Sequence, residues 1–150
     1  MNALTLLLKD HEKLRALFKE GDYPILRAEL VKHVNVEEEI LYPALMKVPE
    51  LEPLVLEAWE EHNLCMRLLQ ELDDMPKEDK FREAKLATLI KMTLDHLDEE
   101  ERDMFPVIEK FSNEKFLEEI GQQMSAHKKK TDPDEVLYPE VPESHRPWNV

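Results

Sequence analysis

Two stretches of this chain share an uncommon spacing. His33-Val34-Asn35-Val36-Glu37 runs on to Pro43, and His96-Leu97-Asp98-Glu99-Glu100 runs on to Pro106. Both read His-x3-Glu-x5-Pro with an aromatic residue, Tyr42 or Phe105, just before the proline. This composition would produce about 0.06 such matches by chance, so two of them point to an internal duplication. A looser echo precedes each: Asp10-His11 opens Asp-His-Glu-Lys-Leu-Arg, and Glu61-His62 opens Glu-His-Asn-Leu-Cys-Met. On a helix, positions i and i+4 stack on one face, so His33 with Glu37 and His96 with Glu100 point the same way. Four imidazoles and two carboxylates suit a pair of first-row transition ions, iron above all; calcium or magnesium would call for oxygen donors. Two carboxylates can bridge ions held ~3.5 Å apart.

The faces that carry these groups are otherwise apolar. His11 shares one with Leu4, Leu7, Leu14 and Phe18; His33 and Glu37 share one with Leu26, Leu30, Ile40 and Ala44. His62 lies with Val55, Ala58, Cys65 and Leu69, and His96 and Glu100 with Leu89, Thr93 and Val107. A lone helix-borne histidine is more often a satisfied interior residue, and a lone His/Glu pair a surface hydrogen bond. Six such groups turned toward one interior are costly unless paired or bound to metal. Asp103, seven residues after His96, is a candidate extra ligand or acceptor for an imidazole N–H. Met66 reads as core filler rather than a thioether ligand, and Cys65 as a buried, inert thiol. The neighbouring Glu38, Glu39, Glu99 and Glu101 read as solvated charge, and His127 and His145 as ordinary surface or tail residues.

The elements that must position these groups are helices. Stretches rich in Leu, Glu, Lys, Met and Ala predict helices over about 2–20, 23–48, 50–74 and 77–110, with boundaries good to ~2–4 residues. Gly21 sits where a C-cap belongs, and Pro24, Pro53 and Pro76 lie close to helix starts. Pro43 and Pro106 fall late in helical stretches and should kink or end them. A shorter amphipathic helix after Ser112 places Phe116, Leu117, Ile120 and Met124 on one face. The expected architecture is all-α: an antiparallel up-down-up-down four-helix bundle with a short extra helix, spanning residues 1–127. Residues 128–150 form a Pro-rich tail; Val136, Leu137, Tyr138, Val141 and Trp148 suggest that it docks along the bundle.

The 150 residues fit one domain, and 42% hydrophobic with 36% charged residues fits a packed core under a solvated surface. A formal charge of −14 repels phosphate and anionic lipid, so neither nucleic acid nor membrane is expected as a partner. The single cysteine, Cys65, excludes an internal disulfide and fits a reducing compartment. Met1–Asp10 has too short an apolar stretch for a secretory leader, and no run reaches the ~18 residues of a membrane span. A cytoplasmic location is expected.

The full pattern resembles the hemerythrin-like (HHE cation-binding) family: His11, His33-x3-Glu37, His62 and His96-x3-Glu100, over roughly residues 5–110. Ferritin-like di-iron bundles differ, carrying Glu-x-x-His at i,i+3. The resemblance implies an antiparallel four-helix bundle around two non-haem, oxo- or hydroxo-bridged iron ions. Glu37 and Glu100 would be the bridging carboxylates, His11 and His33 the terminal ligands of one ion, and His62 and His96 those of the other. Oxygen-carrying members have a further histidine four residues after the third-helix one. Met66 stands there, and Arg15 at the analogous place on the first helix. Five donors per ion would then leave both with a vacancy. The implied function is binding or sensing of O2, NO or peroxide. The alternatives are a di-iron oxidoreductase that reduces peroxide, or an iron-handling protein, and zinc or another transition metal could substitute for iron.

Overall fold

A computed structural model describes residues 1–136 and Tyr138. Its described residues are all-α, with no strand among them. The helices are α1 (Ala3–Glu20), α2 (Tyr23–Val36), α3 (Tyr42–Leu45), α4 (Glu52–Asp74), α5 (Arg82–Glu99), α6 (Phe105–Phe111) and α7 (Glu114–Lys130). Two π-helical turns, π1 (Glu37–Leu41) and π2 (Glu100–Met104), join α2 to α3 and α5 to α6 without a break.

Local chemistry sets these limits. Asn2, Asp22 and Asn113 cap α1, α2 and α7, their side-chain oxygens accepting from Thr5, Ile25 and Phe116 N–H. Gly21 ends α1 in the left-handed region (φ 72°), its N–H returning to the Leu17 carbonyl. The fourth long helix starts at Arg82 rather than near 77. Asp79 holds the preceding segment as a turn, accepting from Phe81 N–H through its side chain and from Arg82 N–H through its carbonyl.

Pro43 and Pro106 neither end nor break their helices at once. In each case the backbone first widens, so that Tyr42 N–H reaches the Glu37 carbonyl and Phe105 N–H the Glu100 carbonyl, five residues back. Each proline then opens a fresh α-segment, where its missing N–H does no harm. The extra residue advances the buried face by one. Leu41, Leu45, Met104 and Ile108 are buried where α-periodicity points to Ile40, Ala44, Asp103 and Val107.

Two apolar clusters form. One gathers Leu4, Leu7, Val36, Leu41, Leu45, Val55, Met104 and Ile108; the other gathers Leu14, Phe18, Leu26, Leu30, Met66, Leu69, Leu89 and Leu97. Along α1 and α4, His11 and His62 fall between the residues of the first cluster and those of the second, and on α2 His33 lies one turn from Leu30 of the second and from Val36 of the first. The polar layer therefore lies between two dry ones.

The fifth long helix is larger than the short one expected. It runs through Lys130, because three lysines suit the negative end of a helix dipole, and it packs on α1, α2 and π1. Gly121 makes the approach to α1 possible: a Cβ there would lie 2.3 Å from the Met1 carbonyl oxygen. Past α7, Val136 and Tyr138 pack against the second cluster. The Tyr138 hydroxyl donates to Asp73 and accepts from Arg27. Leu137, Val141, His145 and Trp148 lie outside the described residues.

Asp73 also accepts from Tyr23 and Arg27, so four contacts from three residues, two on α2 and one past α7, meet on one carboxylate. Burial alone would raise its pKa, but these donors hold it below the usual carboxylate value. A depressed folded-state pKa stabilises above the unfolded value, near 3.8, and the benefit fades as pH falls through the folded one. Asp73→Ala should therefore cost about 1–2 kcal/mol at neutral pH and much less near pH 2, as read by urea unfolding at the two pH values.

Candidate metal centre

All six side chains singled out by spacing converge. His11, His33, Glu37, His62, His96 and Glu100 are each at most 4% exposed. His33 Nε2 lies 2.7 Å and His62 Nε2 3.5 Å from Glu37 Oε1. His11 Nε2 lies 3.5 Å from Glu100 Oε1 and His96 Nε2 3.2 Å from Glu100 Oε2. The Nε2 atoms of His62 and His96 face each other at 3.1 Å. Each carboxylate thus stands between imidazoles of different helices. Two donor sets emerge, each with its ligand atoms within 4.8 Å of one another: Glu37, His62, His96 and Glu100, and His11, His33 and Glu100.

The hydrogen-bond accounting shows what is missing from this layer. His11 Nε2, His33 Nε2, both Glu37 oxygens and Glu100 Oε1 are buried without a hydrogen-bond partner; the close approaches among them have the wrong orientation for one. Buried groups of this kind cost several kcal/mol when left unmatched. Convergent lone pairs of imidazole nitrogen and carboxylate oxygen are what a transition ion fills, so the cluster is able to coordinate two metal ions.

The outward ring nitrogens fix the tautomers. Each Nδ1 donates to a carboxylate: His11 to Glu101 (2.8 Å), His33 to Asp10 (3.2 Å), His62 to Glu38 (3.1 Å) and His96 to Glu61 (3.3 Å). Ionised carboxylates only accept, so each Nδ1 keeps its proton and Nε2 is the nitrogen that faces inward, its lone pair serving an ion once any proton there has left. Three of these acceptors carry further donors. Arg15 bonds Glu101 at 2.5 Å, Lys128 bonds Asp10 at 2.6 Å, and the Trp59 indole bonds Glu38 at 2.9 Å.

Burial opposes charge on His33 and His96, yet their carboxylates prevail when no ion is present. Glu37 and Asp10 raise the His33 pKa to about 10, and Glu100 and Glu61 raise that of His96 to about 11. Glu37 is held well below its ordinary value, its burial outweighed by His33 and His62.

Several sequence expectations need correction. Glu38 and Glu101 are not merely solvated charge; they orient His62 and His11. Asp103 is half-exposed and paired with Arg102 at 2.8 Å, displaced outward by the extra residue of π2. His127 is half-buried and donates to Asn35 Oδ1 at 2.7 Å. Two expectations need none: Met66 packs in the second apolar cluster as core filler, and Cys65 is a buried thiol 3.6 Å from the Thr93 hydroxyl with its pKa raised by burial. One group at the centre escaped sequence reasoning altogether. The buried Tyr42 hydroxyl lies 3.2 Å from His62 Nε2 and donates to Glu100 Oε2 at 3.4 Å. The aromatic-before-proline signal marked the position without revealing its direction.

The fold and site together define a helical domain built around a buried histidine–carboxylate cluster able to coordinate two metal ions. The chain belongs to the family described as the hemerythrin HHE cation binding domain, which matches residues 2–108. It is similar to the crystal structure of a hemerythrin HHE cation binding domain-containing protein from Mycobacterium kansasii. The two are 26% identical, with a TM-score of 0.74, over 87% of this chain and 86% of the other. No curated protein matches it in sequence.

Two outcomes are expected. His33 and His96 carry protons in the metal-free chain at pH 7, so full loading should release about two protons or more, measurable with a pH dye in weak buffer. Affinity should accordingly rise with pH between 6 and 8. Removing an outward carboxylate by Asp10→Ala should weaken Co2+ binding about 10- to 100-fold against a competing chelator, with helicity unchanged.

Proposed function

We propose that this chain is a non-haem di-iron protein that binds or senses O2, NO or peroxide. The reading is carried by the five buried donor atoms without partners, all directed into one layer between two apolar clusters. His11 and His33 would hold one ion, His62 and His96 the other, with Glu37 and Glu100 shared between them. Two ferrous ions so held would supply electrons to a small oxidant. The chain supplies the rest. Its Nδ1–H···carboxylate pairs fix the direction of each imidazole, its apolar clusters exclude water, and Tyr42 holds a proton at the edge of the layer.

In this reading α1, α2 with α3, α4, and α5 with α6 form an antiparallel up-down-up-down quartet. The short links at 21–22, 46–51 and 75–81 favour it. None of the helices of the described residues is long and apolar enough to cross a membrane. The acidic composition and the buried free thiol at Cys65 support a cytoplasmic location.

A second reading, peroxide reduction with turnover, is favoured by one observation. A cavity of about 50 Å3 reaches His96 and Glu100 from the surface. Elemental analysis should find about two irons per chain, with ferric absorption in the near-ultraviolet. The reduced protein should respond spectrally within seconds to O2, NO or peroxide, and Glu100→Ala should abolish both signals. Zinc alone, or inertness to all three oxidants, would sink the proposal. Many turnovers of peroxide, lost in His62→Ala, would establish the enzymatic reading; a single stoichiometric reaction would exclude it.

A further inference from the structure

The cavity beside His96 has a composition that small oxidants do not require. Its apolar wall is Leu54, Ala58 and Met104, its floor is His96 and Glu100, and its mouth carries Glu57, Glu61 and Glu99. These three glutamates can bring one carboxylate oxygen each within 4.8 Å of the others. Glu57 and Glu61 stack one turn apart on α4, and Glu99 faces them as the last residue of α5. The nearby Asp103 is bonded to Arg102, so it adds little net charge.

Exposed carboxylates gather without purpose on many acidic proteins. Here the floor of the cavity supplies a second observation. Glu100 has a side chain 1% exposed, and its Oε2 lies 3.2 Å from His96 Nε2, so the floor presents two donors of one buried set. Glu61 moreover accepts from His96 Nδ1, so mouth and floor are joined by one hydrogen bond. An empty volume near 50 Å3 admits a small ion with part of its water, since one water needs about 10–15 Å3 on this measure.

We propose that this cavity is the cation entry port of the metal centre: Glu57, Glu61 and Glu99 capture a hydrated divalent transition ion and pass it to His96 and Glu100. The inference rests on the two-metal reading given above. Oxygen donors at a wet mouth hold such an ion weakly and exchange water easily. Imidazole nitrogen deeper in binds it more strongly, so affinity increases along the path. The mouth's negative charge also concentrates cations from solution and speeds their capture. Ala58 keeps the passage open, because a larger side chain there would project from α4 into it.

Stopped-flow mixing of the metal-free full-length protein with Co2+ alone, followed by its visible absorbance, reads the loading rate. Glu57→Gln combined with Glu99→Gln should slow loading about fivefold at low ionic strength, with the difference closing at high salt and the final Co2+ content unchanged. The single Glu57→Gln, at an exposed position, should slow it less. Equal rates for wild type and double variant at low salt would overturn the port while leaving the centre intact. Loss of bound Co2+ from a double variant of normal helicity would also overturn it, since those glutamates would then hold the resident ions. Wild-type protein that takes up no Co2+ would refute the two-metal reading, and the port with it.

Discussion

Two carboxylates and four imidazoles have been taken out of water into one layer, and the rest of the molecule is organised around that cost. An isolated ionised carboxylate in a low-dielectric interior is far too unfavourable to persist, and pairing offsets it only when geometry is good and the remaining lone pairs are satisfied. Here several are not. Glu37 has neither oxygen hydrogen-bonded. In the metal-free chain protons partly fill the gap, which is why His33 and His96 are pushed to about 10 and about 11 against the effect of burial. Metal ions would take the place of those protons with the same sign of charge. Loading and folding stability are therefore linked through one set of atoms.

Keeping the layer dry and the ligands directed is the work of the surrounding sequence. Apolar residues one turn before and after His11, His33 and His62 build the two flanking clusters, and the Nδ1-bonded carboxylates decide which nitrogen turns inward. The π-turns belong to the same device. Each begins at a central glutamate and ends before a proline, whose ring would clash with the helix turn behind it. Widening the turn relieves the clash and inserts one residue. The insertion brings Tyr42 and Phe105 inward, to stack on His62 and His11 with ring centroids 5.2 and 5.9 Å away. Pi-bulges are frequent at functional sites for this reason: they re-aim side chains without ending a helix.

How much of this was legible follows from which periodicities are local. The six central residues were readable because i,i+4 stacking survives between His33 and Glu37 and between His96 and Glu100, upstream of each π-turn. Beyond Glu37 and Glu100 the α-period misleads, and Asp103, Ile40, Ala44 and Val107 were placed one residue out of register. The prolines flagged trouble there but could not say whether the chain would kink, stop or widen. The orienting carboxylates Glu38 and Glu101 were hidden for a related reason: their partners lie on helices remote in sequence, and one acidic residue in an acidic run looks like another. Helix α7 was underestimated because its lysines read as the start of a tail, whereas Lys128 is held by Asp10, the acceptor of His33.

The duplicated halves are alike in backbone and unlike in charge. Glu101 and Asp10, which orient His11 and His33, share their charge with Arg15 and Lys128. Glu38, which orients His62, is met by a neutral indole, and Glu61, which orients His96, stands beside Glu57 and Glu99. A carboxylate shared with a cation withdraws less from its imidazole N–H, so the His62 and His96 rings are the more electron-rich pair. The same side of the layer has the Tyr42 hydroxyl where the other has the Phe105 ring, and it has the cavity leading to solvent. Around one pair of imidazoles the outer carboxylates are thus charge-compensated, while around the other they stay uncompensated beside an opening to solvent.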